Sequence, residues 1–147
     1  MNQLRPWLYI GKYIDTLDQQ RLNAHSIGAM LQLADLVEQP GITSLYLPVE
    51  DFEPLPFDVL RQGVDFVREA KQQGHTVLIA CGAGINRSTT YCVATLKEEE
   101  GLGLLKAFKE IKQKHGIALP NLPLWQSLCE YYQEDVPFQM VLALSEQ

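Results

Sequence analysis

The residues in this chain whose types and spacing can do chemistry are Cys81-Gly82-Ala83-Gly84-Ile85-Asn86-Arg87-Ser88. A cysteine and an arginine with five residues between them stand between an apolar strand-like run (76–80) and a helix-like run (89–99). A chain turning tightly from a strand into a helix aims several backbone N–H groups inward. The first of these have no partner in the helix, and the macrodipole adds positive charge there. A tetrahedral oxyanion fits such a nest. Gly82 and Gly84 suit the close approach of backbone to ligand. Arg87 supplies a planar cationic fork for two oxygens. A thiol in that field falls from about 8.5 to roughly 3.5–7.5, which makes a thiolate available to attack phosphorus. The Ser88 hydroxyl is placed to hydrogen-bond the sulfur. The pattern therefore points to cysteine-dependent phosphate-ester hydrolysis, with residues 82–87 cradling the phosphate.

Ester cleavage also needs a proton for the departing oxygen, and a carboxylic acid is a common donor. The candidates are Glu50, Asp51 and Glu53, which follow a second strand-like run at 44–47. In a parallel α/β sheet the loops at the carboxyl ends of neighbouring strands converge, so this segment can meet the Cys81 loop. Chemistry alone does not rank the three.

With these residues in place, the chain resembles a dual-specificity protein phosphatase of the protein tyrosine phosphatase superfamily, over about residues 6–134. Trp7-Leu8-Tyr9-Ile10-Gly11 resembles the family's opening strand, and residues 81–88 match its signature loop. Phe57, Val64-Asp65-Phe66, Ala107, Ile111, Pro120-Asn121 and Leu128 follow its helix pattern. The resemblance implies an α/β fold with a central, mainly parallel sheet flanked by helices. It ranks Asp51 first as general acid and makes Cys81 the nucleophile, Arg87 the phosphate clamp and Ser88 the thiolate partner. It implies no metal and no cofactor, and as substrate a phosphorylated protein or a small phosphate monoester. Two departures define alternatives. Ala80 stands where the family usually has a loop-ordering histidine, which implies a less acidic thiol and motivates a phosphate-binding module without turnover. Gly84-Ile85-Asn86-Arg87 resembles the loop of RNA 5′-phosphatases of the same superfamily.

A chain of 147 residues fits one domain, here with a core at about 6–134 and an apolar tail at 136–147. A net charge of −6 and a pI near 5.0 disfavour nucleic acid and anionic membrane surfaces as partners. The odd, scattered Cys81, Cys92 and Cys129 fit a reducing compartment. The absence of a signal-like N-terminus or a membrane-length apolar run points to the cytoplasm.

The elements that must position the loop are legible in outline. Strands are expected at 8–10, 27–33 and 44–47, and a short helix at 16–22. A helix capped by Asp58 carries Leu60, Val64, Val67 and Ala70 on one face and stops at Gly74. Helices at 104–114 and 122–134 follow. The Glu98-Glu99-Glu100 run reads as a solvated helix end that frays against the dipole. His75 and His115 read as helix-end residues suited to that dipole, and no histidine as a metal ligand or base. Cys92 reads either as a resolving thiol for Cys81 or, as is commoner for a helical cysteine, as core.

Overall fold

The computed structural model describes residues 1–146. In chain order the elements are β1 (Asn2–Arg5), β2 (Leu8–Lys12), α1 (Tyr13–Thr16), α2 (Gln19–Ala24), β3 (Ile27–Gln32) and β4 (Thr43–Tyr46). They continue with α3 (Phe57–Gln72), β5 (Thr76–Cys81), α4 (Arg87–Glu100), α5 (Leu104–Lys114), α6 (Leu122–Tyr132) and α7 (Phe138–Ser145). The sheet runs β1-β2-β5-β3-β4; β1 is antiparallel to β2, and every other pairing is parallel. The expected α/β architecture is present.

Parallel strands covered on both faces read as continuous apolar runs, because alternate side chains enter two different cores. Along β5, Val77, Ile79 and Cys81 join the large core under α3–α6, whereas Leu78 and Ala80 face the smaller cluster of Tyr9, Leu22, Ile27 and Met30. β5 lies between β2 and β3, and Lys12 is the register partner of Cys81. The loops after β2, β3, β4 and β5 thus leave the same end of the sheet, which brings the acid segment to the cysteine loop.

α3 packs against α4 at a close approach. A Cβ on Gly63 would lie 2.2 Å from the ring of Tyr91, so only glycine fits there. The Tyr91 hydroxyl donates to the Val59 carbonyl at 2.8 Å, tying the two helices. Among the described residues, no helix is long and apolar enough to cross a membrane.

Several expectations are corrected. The helix at 16–22 is two short helices broken at Leu17-Asp18, because the Asp18 carboxylate accepts from Arg21 N and starts α2 afresh. Asp58 does not cap α3; Pro56 stands at the N-cap, and Asp58 lies in the first turn. The apolar tail, for which the sequence offers no placement, holds α7 at Phe138–Ser145, which buries Val141. The Glu98–Glu100 run is not a frayed, solvated end: Glu98 and Glu99 are largely enclosed, and exposed Glu100 is paired. Glu98 bonds Arg61, Arg68 and Tyr132; Glu99 bonds Arg68 and Lys71; Glu100 bonds Arg5. Cations from two other elements, α3 and β1, thus outweigh the unfavourable dipole, and Gly101, left-handed at φ 70°, closes the helix.

Candidate active site

β5 ends on Cys81, 3% exposed, and α4 begins at Arg87. Between them the loop carbonyls turn outward. Gly82 O accepts from Tyr13 N at 3.2 Å, Gly84 O from His115 Nε2 at 2.7 Å, and Ile85 O from Leu119 N at 3.2 Å. In a planar trans peptide the N–H points opposite to the C=O. The amides of Ala83, Ile85 and Asn86 therefore face the inside of the loop. Among the described residues, no acceptor takes the N–H groups of residues 83–86. Gly84 makes the turn possible: its φ is +69°, and a Cβ there would lie 3.0 Å from Gly11 O.

The expected residues come together. Cys81 Sγ lies 3.2 Å from Ser88 Oγ, and both side chains are buried. Arg87 Nη1 donates to Val49 O at 3.1 Å, which anchors the guanidinium to the loop after β4. Its Nη2 is 3.2 Å from where a Gly82 Cβ would sit, so glycine leaves the fork room over the loop. Its buried Nε has no acceptor among the described residues, and Asp51 Oδ2 stands 4.0 Å away. A buried guanidinium N–H without an acceptor beside a row of free amides fits an oxyanion.

Of the three carboxylates, Asp51 reaches the loop. Asn86 Nδ2 donates to its Oδ2 at 3.1 Å, and Asn121 Nδ2 and Phe52 N donate to its Oδ1 at 2.7 and 3.1 Å. Glu50 and Glu53 are exposed and make no hydrogen bond or ion pair among the described residues. Phe52 holds a left-handed φ of 62°, which turns the chain sharply just after the acid.

Two contributors escape the sequence reading. Asn121, at the N-cap of α6, accepts from Leu124 N through its side-chain oxygen and turns its amide nitrogen to Asp51. A Pro-Asn pair before an apolar run signals a cap, but nothing in it signals the second partner. His115 stands at the end of α5 as expected, but it is also buried and bonded to the loop. Burial lowers its pKa, and its bond to the Gly84 carbonyl opposes that. Cys92 is fully buried; that burial, and then the neighbouring Cys81, raise its thiol pKa well above the usual range.

Residues 8–134 match the family model of the dual specificity phosphatase catalytic domain. The chain belongs to the dual specificity phosphatase family. It is 29% identical over 139 residues to rat dual specificity protein phosphatase 5, a match covering 92% of this chain and 36% of that protein. It is 32% identical over 135 residues to mouse dual specificity protein phosphatase 15, covering 89% of this chain and 57% of that one. The chain thus spans about a third to a little over half of these relatives' lengths. The crystal structure of DUSP15 superposes with a TM-score of 0.82 at 26% identity, over 99% of this chain and 94% of that one. Ala80 lies on the face of β5 away from the cysteine. It joins the cluster of Tyr9, Leu22, Ile27, Met30 and Leu78 and pairs with Gln32 of β3, and its methyl group offers the loop no hydrogen bond from that side.

Proposed function

We propose that this chain hydrolyses phosphate monoesters on proteins, phosphotyrosine and phosphoserine or phosphothreonine, through a phosphocysteine at Cys81. One convergence carries the reading: the Cys81 sulfur, the Arg87 guanidinium and the Asp51 carboxyl meet around one loop of inward amides, with Asp51 4.0 Å from Arg87. In the first step the Cys81 thiolate forms an S–P bond while the P–O ester bond breaks. The departing oxygen takes the proton of the Asp51 carboxylic acid. Arg87 and the loop amides hold the equatorial oxygens, where charge gathers in the transition state. In the second step the Asp51 carboxylate takes a proton from water as the water oxygen bonds phosphorus. The S–P bond breaks, inorganic phosphate leaves, and Ser88 donates to the returning thiolate. Three unpaired cysteines support a reducing compartment such as the cytoplasm.

The Asn86 side chain, which resembles that of RNA 5′-phosphatases, has a local use in holding Asp51. A net charge of −6 also opposes a polyanionic substrate. Both favour the protein phosphomonoester.

The test is turnover of p-nitrophenyl phosphate and of phosphotyrosine and phosphothreonine peptides by the wild type and Cys81→Ser, with EDTA present. Turnover that vanishes in Cys81→Ser supports the mechanism. A folded, reduced wild type that turns over none of the three sinks it, and faster turnover of triphosphorylated RNA than of any peptide moves the substrate to RNA.

A further inference from the structure

We propose that His115 is a positioning residue for phosphate binding: through the Gly84 carbonyl it sets the direction of the Ile85 amide. The proposal rests on the phosphatase reading for its ligand, and on the geometry for the rest.

His115 caps the C-terminus of α5, 5% exposed, and its Nε2 lies 2.7 Å from Gly84 O. A carbonyl oxygen only accepts, so Nε2 carries the proton. Its Nδ1 lies 2.7 Å from Asn2 Nδ2, and an amide nitrogen only donates, so Nδ1 presents its lone pair. The two partners therefore agree on one neutral tautomer. Asn2 fixes the imidazole, and the imidazole fixes the loop.

The consequence lies one atom pair further on. Gly84 C=O and Ile85 N–H share one peptide plane and point in opposite directions. With the oxygen tied to His115, the N–H faces into the loop. Gly84 lacks the Cβ that would restrict its backbone and holds a positive φ, so this peptide plane needs an outside anchor, and His115 supplies one. The next plane is pinned by Leu119 N on Ile85 O, from the same α5–α6 connection. That connection also carries Asn121, which holds Asp51. A donor already aimed at the phosphate has no reorganisation to undergo when negative charge develops. On the opposite face of β5, Ala80 offers no polar group for this task.

The experiment uses the full chain with His115→Leu, which fills the space without a donor, and His115→Gln, whose amide nitrogen can reach the same carbonyl. Three quantities are read: the Ile85 amide proton and nitrogen shifts without ligand, orthophosphate affinity by titration, and kcat and KM on p-nitrophenyl phosphate. In His115→Leu the Ile85 amide moves, and both orthophosphate affinity and kcat/KM fall on the order of 10- to 100-fold, less than for loss of the donor itself. His115→Gln restores most of all three. Asn2→Ala, which frees the ring without touching the loop, shifts the Ile85 amide in the same sense and keeps the test open if His115→Leu does not fold. A folded His115→Leu with an unmoved Ile85 amide and wild-type orthophosphate affinity overturns the proposal, as does a Gln variant no better than Leu. A wild type that neither binds nor hydrolyses phosphate defeats the phosphatase reading instead, and the ligand-free Ile85 shift still decides whether His115 holds the peptide.

Discussion

Asn86 Nδ2 donates to Asp51 Oδ2 at 3.1 Å, so the Cys81–Ser88 loop holds the loop after β4 directly. Asn121 holds the other carboxyl oxygen at 2.7 Å. Two amides from two elements thus fix both oxygens of one carboxyl group, and the Asn86 side chain is taken up by Asp51 instead of capping α4.

This arrangement predicts a dependence on the leaving group. Asp51→Asn removes the proton donor, and loss of general acid catalysis lowers kcat about 10²–10⁴-fold for phosphoserine peptides, whose alkoxide needs the proton. p-Nitrophenolate leaves without help, so its turnover falls much less. Asn86→Ala and Asn121→Ala leave the acid in place but unsteered, and show the same pattern at roughly a tenth of the effect on kcat. Steady-state kinetics on both substrates check this; equal losses on the two would refute the assignment of Asp51 as acid.

The extent to which this site is legible in the sequence follows from which residues act locally. Cys81 to Ser88 form a contiguous motif whose strand, turn and helix are all encoded within about twenty residues, so the loop and its position between β5 and α4 can be read off. Asp51 lies thirty residues away, and the parallel strand pattern suffices to bring it near. Asn121 and His115 act over 70 and 31 residues, through side chains whose local sequence fits an ordinary helix cap and helix end. Only the packing of the α5–α6 connection against the loop gives them their second partners. The Glu98–Glu100 run misleads for the same reason. Its partners Arg61, Arg68, Lys71 and Arg5 come from α3 and β1, and local charge counting sees the dipole but not the cations.

The carboxylate cluster predicts a ranked stability series. Glu98 is the more enclosed, at 13% side-chain exposure, and meets Arg61, Arg68 and Tyr132. Glu100 is 30% exposed. Glu98→Ala destabilises by about 1–2 kcal/mol, because three donors lose an acceptor. Glu100→Ala costs under about 1 kcal/mol, as exposed pairs do. Burial pushes the Glu98 and Glu99 carboxyls up, but hydrogen bonds and charge from Arg61, Tyr132, Arg68 and Lys71 bring both below the usual 4.5. For Glu100 the Arg5 hydrogen bond is the main cause of lowering. A lowered folded pKa gives stability that is present above 4.5 and lost as pH falls through the folded values. Denaturant midpoints between pH 6 and pH 3 test the window. Glu98→Ala flattens the acid limb, and an unchanged limb counts against the network.

Gly63 predicts a packing defect. An alanine Cβ there meets the Tyr91 ring at 2.2 Å, and Tyr91 is fully buried with its hydroxyl bonded to Val59 O. Alanine gains about 1 kcal/mol in helix propensity. Overpacking costs about 1–3 kcal/mol, and the ring cannot swing away without losing its hydrogen bond. Gly63→Ala therefore lowers the Tm, whereas the paired change Gly63→Ala with Tyr91→Leu recovers part of the loss. A single variant as stable as the wild type would show that the helices separate freely.

Cys92 predicts a negative result in redox chemistry. Its thiol is fully buried and its pKa stands well above the usual range, so at neutral pH it offers no thiolate to attack an oxidised Cys81. After a brief peroxide pulse, mass spectrometry should find Cys81 oxidised singly, without a Cys81–Cys92 disulfide. Recovery under thiol should be the same in Cys92→Ala. A disulfide formed within the native protein would restore the resolving role.

His115 predicts a pH-dependent stability near neutrality. Burial lowers its pKa, the Gly84 carbonyl raises it, the Met1 amino group lowers it, Asp15 raises it and Lys112 lowers it, for a net lowering from 6.5. A histidine whose folded pKa is depressed contributes stability that is fully present above 6.5. Below that pH the unfolded chain takes up a proton that the folded protein refuses, so stability falls with pH at up to one proton's slope, about 1.4 kcal/mol per unit. The fall continues until the folded pKa is reached. Protonation also gives Nδ1 a hydrogen that faces the Asn2 amide donor, so the bond that fixes the ring is lost as the charge appears. His115→Gln keeps the donor to Gly84 and cannot titrate. Chemical denaturation of the two proteins from pH 7.5 to pH 5 should therefore give parallel midpoints above 6.5 and a steeper decline for the wild type below it; identical slopes would mean that His115 takes up its proton as easily folded as unfolded.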